Sequence, residues 1–271
     1  MIAGTYFGID AHCHIYPQKI AALAVDHTNH FYNERSTGAG TVEDLLYAEQ
    51  SGLDFFVVQS VATTPKQVDS INRFIAQEVS LHPDKLIGLG TMHPDSTDME
   101  LQLDQAMALG LKGIKLHPDM QQFSINDPRC YPLYAMCQER GLVLLLHTGD
   151  KRYNFSNPEQ LIPVLKDFPR LTVIGAHLGG WSIWDTAWKS LRDFPNLCVD
   201  CSSSFHYLTP EAAREAILAY GTHRVLFGTD YPMWHAKPEI DYLLGLGLSQ
   251  QDYRQIFAEN AIRVFGIPLS V

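Results

Sequence analysis

Leu109-Gly110-Leu111-Lys112-Gly113-Ile114-Lys115-Leu116-His117 is the stretch on which the reading of the fold turns. A helix-like segment stops at a glycine, and a short apolar run begins within a few residues. Glycine enters the left-handed backbone region without steric penalty, so the chain can leave a helix there and pass directly into a strand. The same unit recurs at Ser51-Gly52-Leu53-Asp54-Phe55 and at Arg140-Gly141-Leu142-Val143. Apolar runs occupy residues 6–11, 54–61, 86–92, 113–116, 142–146, 171–176, 197–201 and 225–229. They are short and rich in Val, Ile, Leu and Phe, as strands buried on both faces are. Thr41-Val42-Glu43-Asp44 reads as a helix start closed by Gly52, and Thr209-Pro210-Glu211 as another closed by Gly221. Eight strand-then-helix repeats in one chain predict an α/β fold, a (β/α)8 TIM barrel. A doubly wound open sheet is the rival, but no glycine-rich phosphate loop follows the first run.

No Pro/Ser/Gly-rich linker divides the 271 residues, so one domain spanning 1–271 is expected. Residues 15–40 are polar and read as a long irregular loop after the first strand, at the end of the barrel where lids and substrate contacts occur. The composition is that of an ordinary globular protein: 46% hydrophobic and 18% charged. A formal net charge of −10 argues against nucleic acid as a partner. No apolar stretch reaches the length of a membrane span. The opening Met1-Ile2-Ala3-Gly4-Thr5 lacks a basic stretch followed by an apolar run. With five scattered cysteines, this makes a cytoplasmic protein with free thiols the expectation. Cys198 and Cys201 have redox-motif spacing, but on a strand they face opposite ways and read as packing.

The twelve histidines are not randomly placed. His12 and His14 lie two apart at the end of the first run, where both side chains can point to one side. His117, His147, His177 and Asp230 each follow a later apolar run, and Lys115 shares a strand face with His117. The carboxyl ends of barrel strands ring one site. Imidazoles and a carboxylate gathered there are ligands for a divalent metal. A lone histidine after an apolar run is more often a hydrogen-bonded structural residue. Several polar residues each ending a different run are harder to bury unless they share partners.

Asp10-Ala11-His12-Cys13-His14, Gly113-Ile114-Lys115-Leu116-His117-Pro118, Leu146-His147, Ala176-His177-Leu178-Gly179-Gly180 and Gly228-Thr229-Asp230-Tyr231-Pro232, with the tail Glu259 to Gly266, resemble the amidohydrolase superfamily. The similarity is greatest to its amidohydrolase-2 branch, which holds decarboxylases, lactonases and other hydrolases. The resemblance implies that His12, His14, His147 and Asp230 hold one metal ion, Zn²⁺ first and Mn²⁺ second. It places His177 beside them, as an acid/base or as a further ligand. Asp230 is then both ligand and proton acceptor.

The reaction expected first is attack of metal-activated water on an amide, ester or lactone carbonyl of a small molecule, anionic ones included. The alternative is non-oxidative decarboxylation of an unsaturated or aromatic acid by the same residues. A non-catalytic metal-binding barrel is the remote third. Lys115 and His117 are candidate substrate contacts. Lys115 has two further readings: an ion pair with a buried carboxylate such as Asp200, or carboxylation to bridge a second metal. Arg152, beside Lys151, is either a solvated charge or a clamp for a substrate carboxylate. Trp181 follows Gly179-Gly180 and can edge the pocket, whereas Trp184 and Trp188 read as core. His93 and His206 fall near the mouth without matching a ligand position. The resemblance further implies a homodimer.

Overall fold

A computed structural model describes residues 1–48 and 52–268. Its strands are β1 Ile9–His14, β2 Phe55–Gln59, β3 Leu86–Gly88, β4 Gly90–Thr91, β5 Gly113–Leu116, β6 Val143–Leu146, β7 Val173–Gly175, β8 Leu197–Asp200 and β9 Val225–Leu226. Every strand pair is parallel, in the orders β1-β2-β3 and β4-β5-β6-β7-β8-β9. Each predicted run holds a strand, and the third is interrupted at Leu89. The two sheets join there: Leu89 N–H donates to Val58 O at 2.9 Å, and Lys112 N–H to Gly88 O at 2.9 Å. At the other seam, Ala11 N–H donates to Phe227 O (2.9 Å), Asp230 N–H to His12 O (2.9 Å) and His14 N–H to Tyr231 O (2.6 Å). The last strand is thereby carried back onto the first, and the sheet closes as a barrel.

Alternation along the strands sorts the core. Ile9, Val57, Ile87, Val143, Leu145, Ile174, Cys198 and Leu226 fill the barrel, floored by Ala258, Ala261 and Phe265. Val58, Ile114, Leu144, Leu146, Val173, Val199 and Val225 face outward. The helices that cover them include α1 Gln18–Tyr32, α2 Val68–Leu81, α3 Met99–Ala108, α4 Pro118–Gln121, α5 Tyr131–Arg140, α6 Pro158–Asp167, α7 Trp184–Leu191, α8 Pro210–Tyr220 and α9 Ala236–Leu244. Both faces of the strands are thus dry, which is why their sequences read as continuous apolar runs. Cys198 packs inside and Cys201 outside, both free, as the spacing predicts.

Gly110 and Gly141 take φ of +83° and +66° at the two helix-to-strand junctions where the sequence places them. The third junction is described from Gly52 onward, at φ +80°; Ser51 lies outside the described residues. Thr209 caps α8 by accepting from Ala212 N–H, with Pro210 in the first turn. One expectation is corrected. Residues 15–40 are not an irregular loop, because Gln18–Tyr32 form α1. No side chain caps its start, and its histidines, Asn29 and Thr28 are weak helix formers. Its buried residues, Ala21 and Val25, are small and four apart, so the apolar stripe is inconspicuous.

Gly113 fits because it lacks a side chain: a Cβ there would press on the Val143 carbonyl of the neighbouring strand. Gly113→Ala is expected to destabilise the barrel by about 1–3 kcal/mol, read as a lower urea midpoint with an unchanged slope.

Candidate metal centre

The first strand does not stop at Ala11 but runs on through His14, with a register shift between Asp10 and Cys13. Asp10 pins that shift, accepting from His12 N–H at 3.0 Å, Thr229 N–H at 3.1 Å and the Thr229 hydroxyl at 2.6 Å. The strand end bearing the two histidines is thereby tied to the turn that carries Asp230. Cys13 belongs to the outer core, away from the histidines on either side of it.

Three ligand atoms converge. His12 Nε2 lies 3.2 Å from His14 Nε2 and 3.2 Å from Asp230 Oδ1, and His14 Nε2 lies 3.4 Å from the same oxygen. His12 Nδ1 meets Asp200 Oδ2 at 2.9 Å. A carboxylate only accepts, so His12 carries its proton on Nδ1 and turns its Nε2 lone pair toward the cluster, where Lys115 Nζ also lies 3.0 Å away. Burial pushes His12 down to about 4, with Lys115 acting in the same sense, and burial also lowers His14. Both imidazoles are therefore neutral and open to a cation at neutral pH. Burial alone would raise the Asp230 carboxyl, but His12, His14 and His177 outweigh it and hold Asp230 ionised. Two neutral imidazoles and an ionised carboxylate, with ligand atoms within 4.8 Å of one another, are a donor set that fits a divalent ion.

The structure thus brings together His12, His14 and Asp230, three of the four expected ligands. His147 stands one side chain away. Its ring stacks on His117, with centroids 4.0 Å apart and planes 8° apart. Its Nε2 meets Gly149 O at 3.1 Å, and its Nδ1 meets His177 Nε2 at 3.0 Å. His177 therefore bridges His147 to the cluster. His177 Nδ1 faces Ser202 O at 2.9 Å, and its backbone N–H donates to Asp200 Oδ1 at 3.1 Å. Lys115 is fully buried, with Nζ 3.0 Å from His12 Nε2. Burial brings it down to about 8, opposed by Asp230 and Asp200 at longer range. An ion pair with Asp200 was one of the options for Lys115; the side chains Asp200 meets are His12 and Ser202.

His117 caps α4, its Nδ1 accepting from Met120 N–H at 3.2 Å, while its Nε2 faces Tyr32 OH at 2.6 Å. It lines the cavity as well, so its capping role leaves it beside the space a substrate would occupy. Arg152 is engaged elsewhere. It pairs with the buried Asp150 at 2.7 Å, donates to Phe31 O at 2.6 Å and lies over the Tyr32 and Trp181 rings. These contacts tie it to the end of α1, and it is not among the side chains that line the cavity.

Sequence reasoning missed Tyr32, which α1 delivers to the site. It missed Ser202 and Ser203 too. Ser203 Oγ donates to Asp230 Oδ2 at 2.8 Å and itself accepts from Trp234 Nε1 at 2.9 Å. The signal for these serines was weak but present: Ser202-Ser203-Ser204 directly follows the seventh apolar run. Trp181 packs edge-on against Tyr32, and Trp184 donates from Nε1 to His177 O. His206 pairs with the buried Glu239 at 2.8 Å, and His93 accepts from Asp95 N–H. Neither belongs to the cluster.

The cluster forms the base of a cavity of about 760 Å³, lined by His12, His14, Lys115, His147, His177 and Asp230 together with residues of α1 and α2. A family model described as amidohydrolase matches residues 9–267, almost the whole chain. The chain belongs to the amidohydrolase family. Its motifs and relatives place it in the amidohydrolase-2 group of that family. It is 26% identical over 199 residues to the 2-amino-3-carboxymuconate-6-semialdehyde decarboxylase of Dictyostelium discoideum, covering 60% of this chain and 55% of that one. The chain thus aligns with about half the length of that curated relative.

Among solved structures, an uncharacterised TIM-barrel protein from Bordetella bronchiseptica superposes with a TM-score of 0.81 at 24% identity, over 96% of this chain and 98% of that one. The 5-carboxyvanillate decarboxylase of Sphingomonas paucimobilis follows at 0.77 and 17%, over 97% and 99%. A dihydroxybenzoic acid decarboxylase from Polaromonas with bound manganese and the inhibitor 2-nitroresorcinol reaches 0.72 at 14%, over 98% of each chain. These likenesses share the barrel.

Exchanging Asp200 for Asn would let an amide N–H point at His12 Nδ1 and move the imidazole proton to Nε2. Asp200→Asn is expected to weaken divalent-ion binding about 10–100-fold with the circular dichroism spectrum retained, as checked by titration calorimetry with Mn²⁺.

Proposed function

We propose that this amidohydrolase-family protein is a metal-dependent, non-oxidative decarboxylase of a small unsaturated or aromatic carboxylic acid. The observation that carries the reading is the pairing of the His12–His14–Asp230 cluster and the buried Lys115 ammonium with a cavity whose wall is otherwise uncharged apart from Lys19 on α1. The decarboxylases among the relatives support it. Hydrolysis of an amide, ester or lactone, the first expectation from the sequence, has less support: most of the compared proteins with a stated activity are decarboxylases, with a protein described as a 2-pyrone-4,6-dicarboxylic acid hydrolase from Pseudomonas putida beside them. The donor set suits zinc or manganese alike, and the manganese in the Polaromonas structure is in keeping with one divalent ion.

Loss of CO2 turns a charged carboxylate into a neutral molecule. A site that strips water from the carboxylate disfavours the ground state relative to the transition state. His12, His14 and Asp230 would hold the ion, with His147 the candidate for a fourth ligand. When bound, the ion supplies a Lewis acid that orients the substrate's oxygens and draws electron density toward them. The Lys115 ammonium offers the incoming acid a buried counter-charge, which its substrate-contact role requires. His177 donates from Nδ1 to Ser202 O, leaving Nε2 as the position at which a proton is carried. In the reaction, the bond between the carboxylate and its neighbouring carbon breaks and its electron pair stays on that carbon. The proton from His177 Nε2 joins that carbon, and CO2 leaves. Solvent water then returns a proton to His177 Nε2, while Asp230 stays ionised.

Purified protein loaded with Mn²⁺ or Zn²⁺ is expected to release CO2 from a panel of hydroxybenzoic and muconic-type acids, followed in a coupled bicarbonate assay. Hydrolysis of an ester, lactone or amide panel without any CO2 would overturn the reading. Removing the ion with a chelator is expected to abolish CO2 release, and adding it back to restore it. His177→Asn is expected to lower kcat about 10²–10⁴-fold while elemental analysis still finds the metal. Loss of the metal instead would make His177 a ligand.

A further inference from the structure

Helices α1 and α2 each carry two stripes. On α1, Ala21 and Val25 are buried, while Ile20, Leu23 and Ala24 line the cavity. On α2, Val68, Asn72 and Ile75 are buried, while Ile71 and Phe74 line it. Both lining sets follow helical spacing of three and four residues, so each forms one continuous face. A helix on the rim of a barrel needs one apolar stripe to pack, with the opposite face in water. Here the cavity-lining face is largely apolar too, although Lys19, His27 and Thr28 of α1 and Ser70 of α2 also line it. Leu23 is 72% exposed and Ile20 43% exposed. With Val61, these six side chains wall the same cavity whose base is the metal cluster. The charged residues lining that cavity are Lys115, Asp230 and Lys19. The first two belong to the cluster, and Lys19 is an exposed side chain of α1.

A bare six-carbon acid bound at the cluster would leave this second wall in water. Sites for small ligands usually enclose most of the ligand surface. We infer that the substrate carries an uncharged apolar tail, alkyl or aryl, on the side of the molecule away from its carboxylate, and that Ile20, Leu23, Ala24, Val61, Ile71 and Phe74 bind it. The inference rests on the decarboxylase reading for the acid at the cluster but not for the tail. Tail binding is a matter of apolar burial and has its own readout.

The test uses 4-alkyl-2-hydroxybenzoic acids with no chain or with a propyl, pentyl or heptyl chain, and the matching 3-alkylphenols that loss of CO2 would produce. Calorimetry on the metal-loaded protein is expected to show the phenols' Kd falling about two- to fourfold per methylene, and KM for the acids falling in parallel. Phe74→Asp and Ile71→Asp are expected to flatten that slope. Leu23→Asp, at an exposed position that tolerates substitution, is expected to reduce it and guards against a misfolded interior variant. Equal Kd across the phenol series in the wild type overturns the inference, whatever happens to CO2. A slope in Kd with no CO2 from any acid leaves the tail site standing and overturns the decarboxylase reading. If sedimentation shows that Leu23→Asp splits a dimer while the slope is unchanged, the stripe is an interface between copies of this chain and the inference fails.

Discussion

A carboxylate that can only accept decides which nitrogen of His12 carries the proton. Asp200 sits at the end of β8, fully buried, with one oxygen on His12 Nδ1 and the other taking hydrogens from the His177 backbone and from Ser202. That one placement leaves the His12 lone pair facing His14 and Asp230. It also anchors the backbone of His177. Neutral imidazoles stay neutral in the cluster because burial opposes their charge, and Asp230 stays ionised because histidines and an ammonium surround it. The cluster is a concentration of lone pairs at the base of the cavity, which is a reason for it to take a cation.

Strain gathers at the same place. His177 and Asp230 are non-glycine residues at φ of +60° and +62°, and Leu178 and Ser203 are similar at +52° and +48°. Left-handed backbone is unfavourable for such residues, and it persists where surrounding contacts over-determine it. Here the contacts are visible: Asp200 and Trp184 hold the two ends of the His177 peptide unit, and Ser203 holds the Asp230 side chain. These turns let the chain present His177 and Asp230 to the cluster immediately after a strand ends.

Helix α1 links the centre to the cavity above it. Its final residue, Tyr32, reaches the His117–His147 stack, and Arg152 grips its end through Phe31 O and the aromatic rings. The burial of Tyr32 raises its phenol well above the usual value, so it remains a hydrogen-bond donor to the imidazoles. The segment that looks least regular in the sequence therefore does two tasks: it seats one residue against the histidines and walls the cavity with the rest.

The barrel was legible because its strands are buried on both faces and leave unbroken apolar runs, and because Gly110 and Gly141 mark where helices end. His12, His14 and Asp230 were legible because strand periodicity and strand ends converge in a barrel whatever the loops do. Residues joined only through space were not legible. Tyr32 arrives on a helix whose stripe of small side chains gives little periodic signal. Arg152 looks free for a substrate until its distant partners, Asp150 aside, are seen on another element. The position of the His147 ring, beside His177 rather than within the trio, depends on stacking against His117 from a neighbouring strand. Local sequence thus determined which elements form and which ends carry ligands, since both follow from short-range backbone preference and burial. The tertiary structure alone decided the tautomer of His12 and the residues facing each other across the cavity, because those depend on contacts between parts of the chain far apart in sequence.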